Sequence, residues 1–73
     1  MSKIFLKKIG KNIQKLRLDR GYSQEKMADK LGISRNAFGM IERGEINTSI
    51  GRINQIYKIF NIDIIKLFDN IEV

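Results

Sequence analysis

Near the middle of this chain, Gly32 lies between two short segments of helical periodicity. Of the features of the sequence, this arrangement restricts the possible folds most. Ser23 precedes the first segment, residues 24–31, and Ser34 precedes the second, residues 35–43. Serine is a favoured helix N-cap because its hydroxyl accepts a hydrogen bond from an unpaired backbone N–H of the first turn. Gly32 follows the first segment, and glycine readily adopts the left-handed conformation found just after helices. The pattern predicts two helices joined by a turn of a few residues.

Helical periodicity continues through the rest of the chain, whereas period-two alternation is weak throughout. The 73 residues contain no proline and no low-complexity linker, which indicates one small domain, residues 1–73. Further helices are expected at about 3–18, from residues 47–49 to 60, and from 64 to about 69. The predicted fold is all-α, a compact five-helix bundle.

The apolar positions on one face of each predicted helix define the expected core. Burial of such a face stabilises short helices more than their intrinsic propensity does. The expected core residues are Ile9, Ile13, Leu16, Met27, Ala28, Leu31, Ile33, Phe38, Ile41, Ile50, Ile53, Ile56, Phe60, Ile62 and Leu67.

Charge is distributed unevenly along the chain, whose formal net charge is +6. Residues 1–36 contain ten Lys/Arg and three Asp/Glu, a balance of +7, whereas residues 37–73 contain four and five, a balance of −1. This asymmetry favours a polyanionic partner that meets the N-terminal half. Nucleic acid is the first candidate and acidic membrane lipid the second. A lysine-rich surface that serves solubility is the remaining interpretation.

The chain lacks both cysteine and histidine, so the commonest general base and transition-metal ligand is absent. No clustered Asp/Glu spacing, nucleophile–base pairing or phosphate-binding loop is recognisable. We therefore expect no metal, no cofactor and no enzymatic activity. No apolar run approaches the roughly 20 residues of a membrane span, and the N-terminus has no continuous apolar signal segment. These features predict a cytoplasmic protein with no membrane partner.

The two helices around Gly32 have the layout of a helix-turn-helix, whose second helix enters the DNA major groove. Ala28 supplies a small residue where the second helix crosses the first. At 100° per residue, Phe38 and Ile41 lie on the inner face of the second helix. The outer face carries Arg35, Asn36, Gly39, Met40 and Arg43.

The chemistry of that outer face suits the edges of bases. Arginine can donate two hydrogen bonds to guanine, asparagine can pair with adenine, and Met40 can contact a thymine methyl. An ordinary solvated surface is the alternative, but the basic half-chain and the spacing of the turn favour DNA. Gly39 costs a helix interior roughly 1 kcal/mol relative to alanine. We hypothesise that its missing side chain permits close approach to the bases. The alternative is that the glycine is a neutral sequence change that the fold tolerates.

The stretch from Ile9 to Phe68, 60 of the 73 residues, resembles the Cro/C1-type helix-turn-helix domain of phage repressors and bacterial regulators. The strongest motifs are LRLDRGYSQEKMADKLGIS and IERG. The resemblance implies the lambda-repressor-like fold. It also implies a bacterial or phage-encoded transcriptional regulator that binds double-stranded DNA in a sequence-specific manner.

The resemblance also implies roles for individual residues. Its base-reading positions correspond to Arg35, Asn36 and Met40, and Gly39 shares their face. Its phosphate-contacting positions correspond to Gln24, Arg43, Asn47, Thr48 and Ser49, the last three largely through backbone N–H groups. A family ion pair that holds the recognition helix corresponds to Arg17 and Glu42. The chain departs from the pattern at Tyr57 and Ile59, where alanine is frequent, which predicts either altered packing or an exposed apolar surface.

Dimerisation is expected because so small a domain contacts few base pairs, and such domains usually bind two half-sites about one DNA turn apart. Residues 62–73 carry more apolar side chains than one short helix can bury, which favours a homodimer interface there. The alternative is that these side chains complete the core. The interface candidates are Ile59, Ile64, Ile65, Phe68 and Ile71.

Two subclasses of regulator fit this length: a phage or mobile-element repressor, and a controller protein of a restriction–modification system. No ligand-binding or protease-like region follows the domain, so we expect a stand-alone regulator without a small-molecule ligand. A hypothesis of another class is an antitoxin-like module whose main partner is a protein bound through the C-terminal apolar surface. DNA binding would then be secondary or absent.

Overall fold

The computed structural model describes residues 2–67, and within that range the fold is helical, without a β-strand. Four α-helices are followed by one 3-10 helix. They are α1 (Lys3–Asp19), α2 (Gln24–Leu31), α3 (Arg35–Glu42) and α4 (Ile50–Ile59), with the 3-10 helix at Ile64–Lys66. The all-α prediction is confirmed, and the predicted boundaries of the four α-helices hold to within a few residues.

Four α-helices are counted where five helices were predicted, because the predicted fifth helix begins as a 3-10 helix at Ile64–Lys66, with Leu67 α-helical after it. The N–H of Lys66 donates to the carbonyl of Asp63, three residues earlier, at 3.0 Å. The Asp63 side chain accepts from the N–H of Ile65 at 3.1 Å, which closes a tight turn at its start. The remainder of the predicted helix, residues 68–69, lies outside the described range.

A serine precedes each α-helix of residues 2–67. The hydroxyls of Ser2, Ser23, Ser34 and Ser49 accept a hydrogen bond from the third helical N–H at 3.0–3.1 Å. Each such cap contributes about 1 kcal/mol and determines where its helix begins.

The core lies between the inner faces of the helices. Its buried cluster is Ile9, Ile13, Met27, Ala28, Leu31, Phe38, Ile41, Ile53, Ile56, Tyr57, Phe60 and Leu67. The prediction for Ile50 is wrong, since this residue is 56% exposed. Side chains lean toward the N-terminus of a helix, so Ile50, the first residue of α4, extends past the helix end. Leu16, Ile33 and Ile62 are half-buried and pack against the cluster.

The two residues of α4 that depart from the family pattern have a structural explanation in this core. Tyr57 is buried among the core side chains, and Ile59 is half-buried against them. Burial also raises the pKa of the Tyr57 hydroxyl. Of the two interpretations of these departures, altered packing therefore applies to Tyr57.

Two glycines permit the close contact between α1 and the end of α3. A Cβ added to Gly10 would collide with the carbonyl oxygen of Glu42 and lie 2.7 Å from its carbonyl carbon. Gly44 has a φ of +67°, and a Cβ there would lie 2.7 Å from the backbone nitrogen of Lys7. Only residues without a Cβ allow backbones to approach this closely. The contact determines how α3 sits relative to α1.

Candidate nucleic-acid interface

The turn between α2 and α3 has the backbone geometry that its glycine predicts. Gly32 is left-handed, with φ 69° and ψ 30°. The N–H of Ile33 then donates to the carbonyl of Ala28 at 3.0 Å, which satisfies an otherwise unpaired carbonyl at the end of α2. Ile33 packs against the core, so the turn holds α3 against the bundle.

The two faces of α3 differ in exposure. Phe38 and Ile41 are buried in the core. Arg35 and Asn36 are exposed on the opposite face, with Met40 partly exposed beside them. The Asn36 amide nitrogen lies 3.9 Å from the sulfur of Met40. The structure therefore brings three of the four predicted base-reading side chains together on one accessible surface.

The fourth predicted position, Gly39, is not open to solvent, because the side chain of Arg43 covers it. A Cβ on Gly39 would lie 2.9 Å from Nη1 of Arg43. Arg43 donates from Nε to Oε2 of Glu45 at 2.9 Å and from Nη2 to Oε1 at 3.1 Å. These hydrogen bonds raise the pKa of Arg43 and lower the pKa of the Glu45 carboxyl. The glycine thus makes room for the guanidinium of Arg43, the residue that follows α3.

A buried ion pair lies at the inner edge of this surface. Arg17 donates from Nε to Oε2 of Glu42 at 2.6 Å and from Nη2 to Oε1 at 3.2 Å. The exposed fractions of the two side chains are 9% and 2%. Arg17 also donates from Nη1 to the carbonyl of Tyr22 at 2.9 Å. The pair joins α1 to the end of α3, with both carboxylate oxygens satisfied.

Gln24 belongs to the same hydrogen-bond network. Its Nε2 donates to Oε1 of Glu42 at 2.9 Å, which connects the start of α2 to the end of α3. An amide nitrogen carries two N–H groups, so Gln24 retains a donor for a phosphate oxygen. Its phosphate contact stays a prediction.

The loop before α4 presents the other predicted phosphate-contacting residues. Thr48 is 7% exposed, so its side chain is hidden, whereas Asn47 and Ser49 are exposed. The hydroxyl of Ser49 caps α4 by accepting from the N–H of Arg52. A phosphate contact here would depend on backbone N–H groups, and it stays a prediction.

A groove of about 410 Å³ continues the surface from Arg43 onto α1. It is lined by Lys7, Lys11, Gln14, Gln24, Glu42 and Arg43. Within residues 2–67, Lys7 and Lys11 are exposed and make no ion pair. Glu42 offers little repulsion to an anion, since Arg17 neutralises it. Lys15, one turn further along α1 than Lys11, lines a separate groove.

The dimer candidates differ in exposure. Ile65 is 64% exposed, whereas Ile59 and Ile64 are half-buried and pack against the core. Phe68 and Ile71 lie outside the described residues. Ile65 therefore presents the largest apolar surface among the described candidates.

In the described part of the chain, none of the helices combines the length and apolar character needed to cross a bilayer. The same residues contain no group of three or more metal-ligating side chains.

Comparison with known proteins agrees with this geometry. A family model described as helix-turn-helix matches residues 13–67, which include α2, the turn and α3. One similar protein is the SPbeta prophage-derived uncharacterized HTH-type transcriptional regulator YonR of Bacillus subtilis (strain 168). It is 34% identical over 53 residues, which cover 73% of this chain and 49% of the relative, so the chain spans about half the relative's length. The chain belongs to the Cro/C1-type helix-turn-helix family of DNA-binding domains.

Proposed function

We propose that this protein regulates transcription by binding double-stranded DNA in a sequence-specific manner, with α3 in the major groove. The observation that carries the proposal is the surface of Arg35, Asn36 and Met40 on a helix anchored by Phe38 and Ile41. A major groove about 12 Å wide admits one α-helix, and these side chains match the donors and acceptors of base edges.

The charged groove beside α3 supports the same proposal. A helix in the major groove is bordered by phosphates of both strands, and contacts to phosphates hold a protein in register. Lys7 and Lys11 have no anionic partner within residues 2–67, and they lie along the groove that Arg43 and Gln24 also line. We assign this groove to the DNA backbone.

A homodimer on two half-sites is part of the proposal. The exposed Ile65 and the apolar character of residues 62–73 support an interface at that end of the chain. The prophage origin of the relative favours a phage-type or mobile-element regulator over a restriction–modification controller. No enzymatic activity is expected.

Selection of bound duplexes from a random pool tests the function directly. A regulator of this kind returns a defined site, and a dimer returns two half-sites separated by about one DNA turn. Recovery of no preferred duplex, together with capture of a protein through the C-terminal surface, would support the antitoxin-like module instead.

Two single substitutions separate base reading from backbone contact. Arg35→Ala should relax the preference at one base pair by about 1–3 kcal/mol, because it removes a bidentate contact to a base edge. Gln24→Ala should weaken binding to all duplexes to a similar degree. Titrations by fluorescence anisotropy on the selected duplex and its single-pair variants measure both effects. Thermal unfolding monitors the fold, since Gln24 also binds Glu42. Uniform weakening by Arg35→Ala would contradict its assignment as a base reader.

Salt dependence tests the groove on α1. The double variant Lys7→Gln, Lys11→Gln should reduce the slope of log K against log salt by about 0.9 for each phosphate that these lysines neutralise. The matched control, Lys15→Gln with Lys58→Gln, removes the same charge from residues that do not line this groove. Equal slopes for the two double variants would show that the lysines act only through net charge.

A further inference from the structure

We infer that Arg43 reads a base pair and that Glu45 is the residue that positions it. The inference rests on the proposed function, because it places α3 in the major groove. It differs from the phosphate contact that the family resemblance implies for Arg43.

The path of the Arg43 side chain is the first support. Arg43 follows the last residue of α3, yet Nη1 lies 2.9 Å from the Cβ position of Gly39, one turn earlier. Side chains of a helix lean toward its N-terminus, and here the glycine leaves the space for that course. Residues 35, 39 and 43 follow one another at intervals of four, so the guanidinium lies in line with Arg35. This position belongs to the outer face rather than to the helix end.

The donors of the guanidinium are the second support. Glu45 occupies one edge, because it accepts from Nε and from Nη2. A guanidinium carries five N–H groups, so Nη1 and Nη2 keep a parallel pair of donors at its tip. This pair matches O6 and N7 of guanine, the commonest specific contact of arginine in the major groove. A carboxylate that holds the other edge reduces the conformational freedom that binding must remove.

The chemistry of Glu45 is the third support. Both side chains of this pair are about half exposed, and exposed ion pairs add little to stability. A carboxylate beside a DNA-binding surface also repels phosphates and weakens binding to every sequence. Its presence is explained if it increases discrimination at the expense of general affinity.

The glycine has a role in the same arrangement. A mid-helix glycine lowers helix stability relative to alanine. At Gly39, a side chain would displace the guanidinium from the face of α3. The requirement for space therefore comes from Arg43 itself, in addition to any close approach of the bases.

The test compares Glu45→Gln, Arg43→Gln and the control Asp29→Asn on the selected duplex and all its single-pair variants. Asp29 is an exposed carboxylate of α2, and its substitution changes the net charge as Glu45→Gln does. Arg43→Gln should lose roughly tenfold or more of the discrimination at one G·C pair. Glu45→Gln should lose part of the discrimination at that same pair. Asp29→Asn should tighten binding generally without a change in discrimination.

Two results would overturn the inference. Uniform weakening by Arg43→Gln would assign this residue to phosphate. Identical behaviour of Glu45→Gln and Asp29→Asn would reduce Glu45 to a bulk charge. In both cases, loss of discrimination by Arg35→Ala at its own base pair would show that the proposed function still holds. If the unmodified protein discriminates no duplex, the proposed function fails instead.

Gly39→Ala provides an independent variant whose fold is expected to persist. Its unfolding midpoint should rise, because alanine favours the helix and the Arg43 tip can move aside. Discrimination should fall at the same G·C pair that Arg43→Gln affects. Unchanged discrimination in this more stable variant would contradict the placement of the guanidinium over Gly39.

Discussion

Replacement of Glu42 by alanine is expected to lower the free energy of unfolding by about 3–5 kcal/mol. The substitution leaves the guanidinium of Arg17 without its carboxylate partner. Water cannot fully replace that partner, because Arg17 is only 7% exposed. It also removes the acceptor of the Gln24 amide. A domain of this size has a total stability of roughly 4–11 kcal/mol, so a large unfolded fraction is expected. Urea denaturation followed by circular dichroism measures the loss.

Two controls separate the buried pair from general charge effects. The double variant Arg17→Met, Glu42→Leu should recover much of the loss, because a packed apolar pair can replace a buried ion pair. Glu45→Ala removes an exposed carboxylate near the same helix end and should leave the unfolding curve almost unchanged. A cost below about 1 kcal/mol for Glu42→Ala would show that water screens the pair.

Substitution of Gly10 by alanine is expected to destabilise the fold by about 3 kcal/mol, despite the higher helix propensity of alanine. The added Cβ would meet the backbone of Glu42 and the carbonyl oxygen of Ile41, the latter at 2.8 Å. Backbone atoms cannot rotate away as a flexible side chain can, so α1 and α3 must separate. Thermal or urea unfolding measures the effect.

Gly51 provides the matched control, since it also lies inside a helix. A Cβ there would contact only the hydroxyl oxygen of Ser49, at 3.9 Å. Gly51→Ala should therefore stabilise the fold by about 0.5–1 kcal/mol. The same chemical change thus has opposite expected signs at two positions. Stabilisation by Gly10→Ala would show that the contact between α1 and α3 is looser than the structure has it.

The starts of α2, α3 and the 3-10 helix could be predicted from the sequence, and the start of α4 to within residues 47–49, because the signals are local. The hydroxyls of Ser23, Ser34 and Ser49 accept hydrogen bonds from N–H groups three residues away. Gly32 changes the direction of the chain through its own left-handed backbone conformation. The helical period also distinguished the buried face of α3 from the exposed one, because the face on which a residue lies depends only on residue spacing.

The core prediction failed at a helix end, and the surroundings of Gly39 depend on a side-chain course that the sequence pattern does not give. Ile50 follows the spacing of a core position, but as the first residue of α4 it is largely exposed. Gly39 follows the spacing of an open surface position, yet Arg43 covers it. Neither outcome is encoded in a periodic pattern, because the first depends on where the helix begins and the second on the course of the Arg43 side chain.

From the sequence, one could derive the helices, the glycine turn and the outward residues of α3, because caps and periodicity act within a few residues. The packed fold was needed to show that Gly10 and Gly44 hold α1 against α3, and that Lys7 and Lys11 lie beside Arg43. These relations join residues about 30 to 40 positions apart in the chain. Distances between such residues are set by packing, which no local pattern contains.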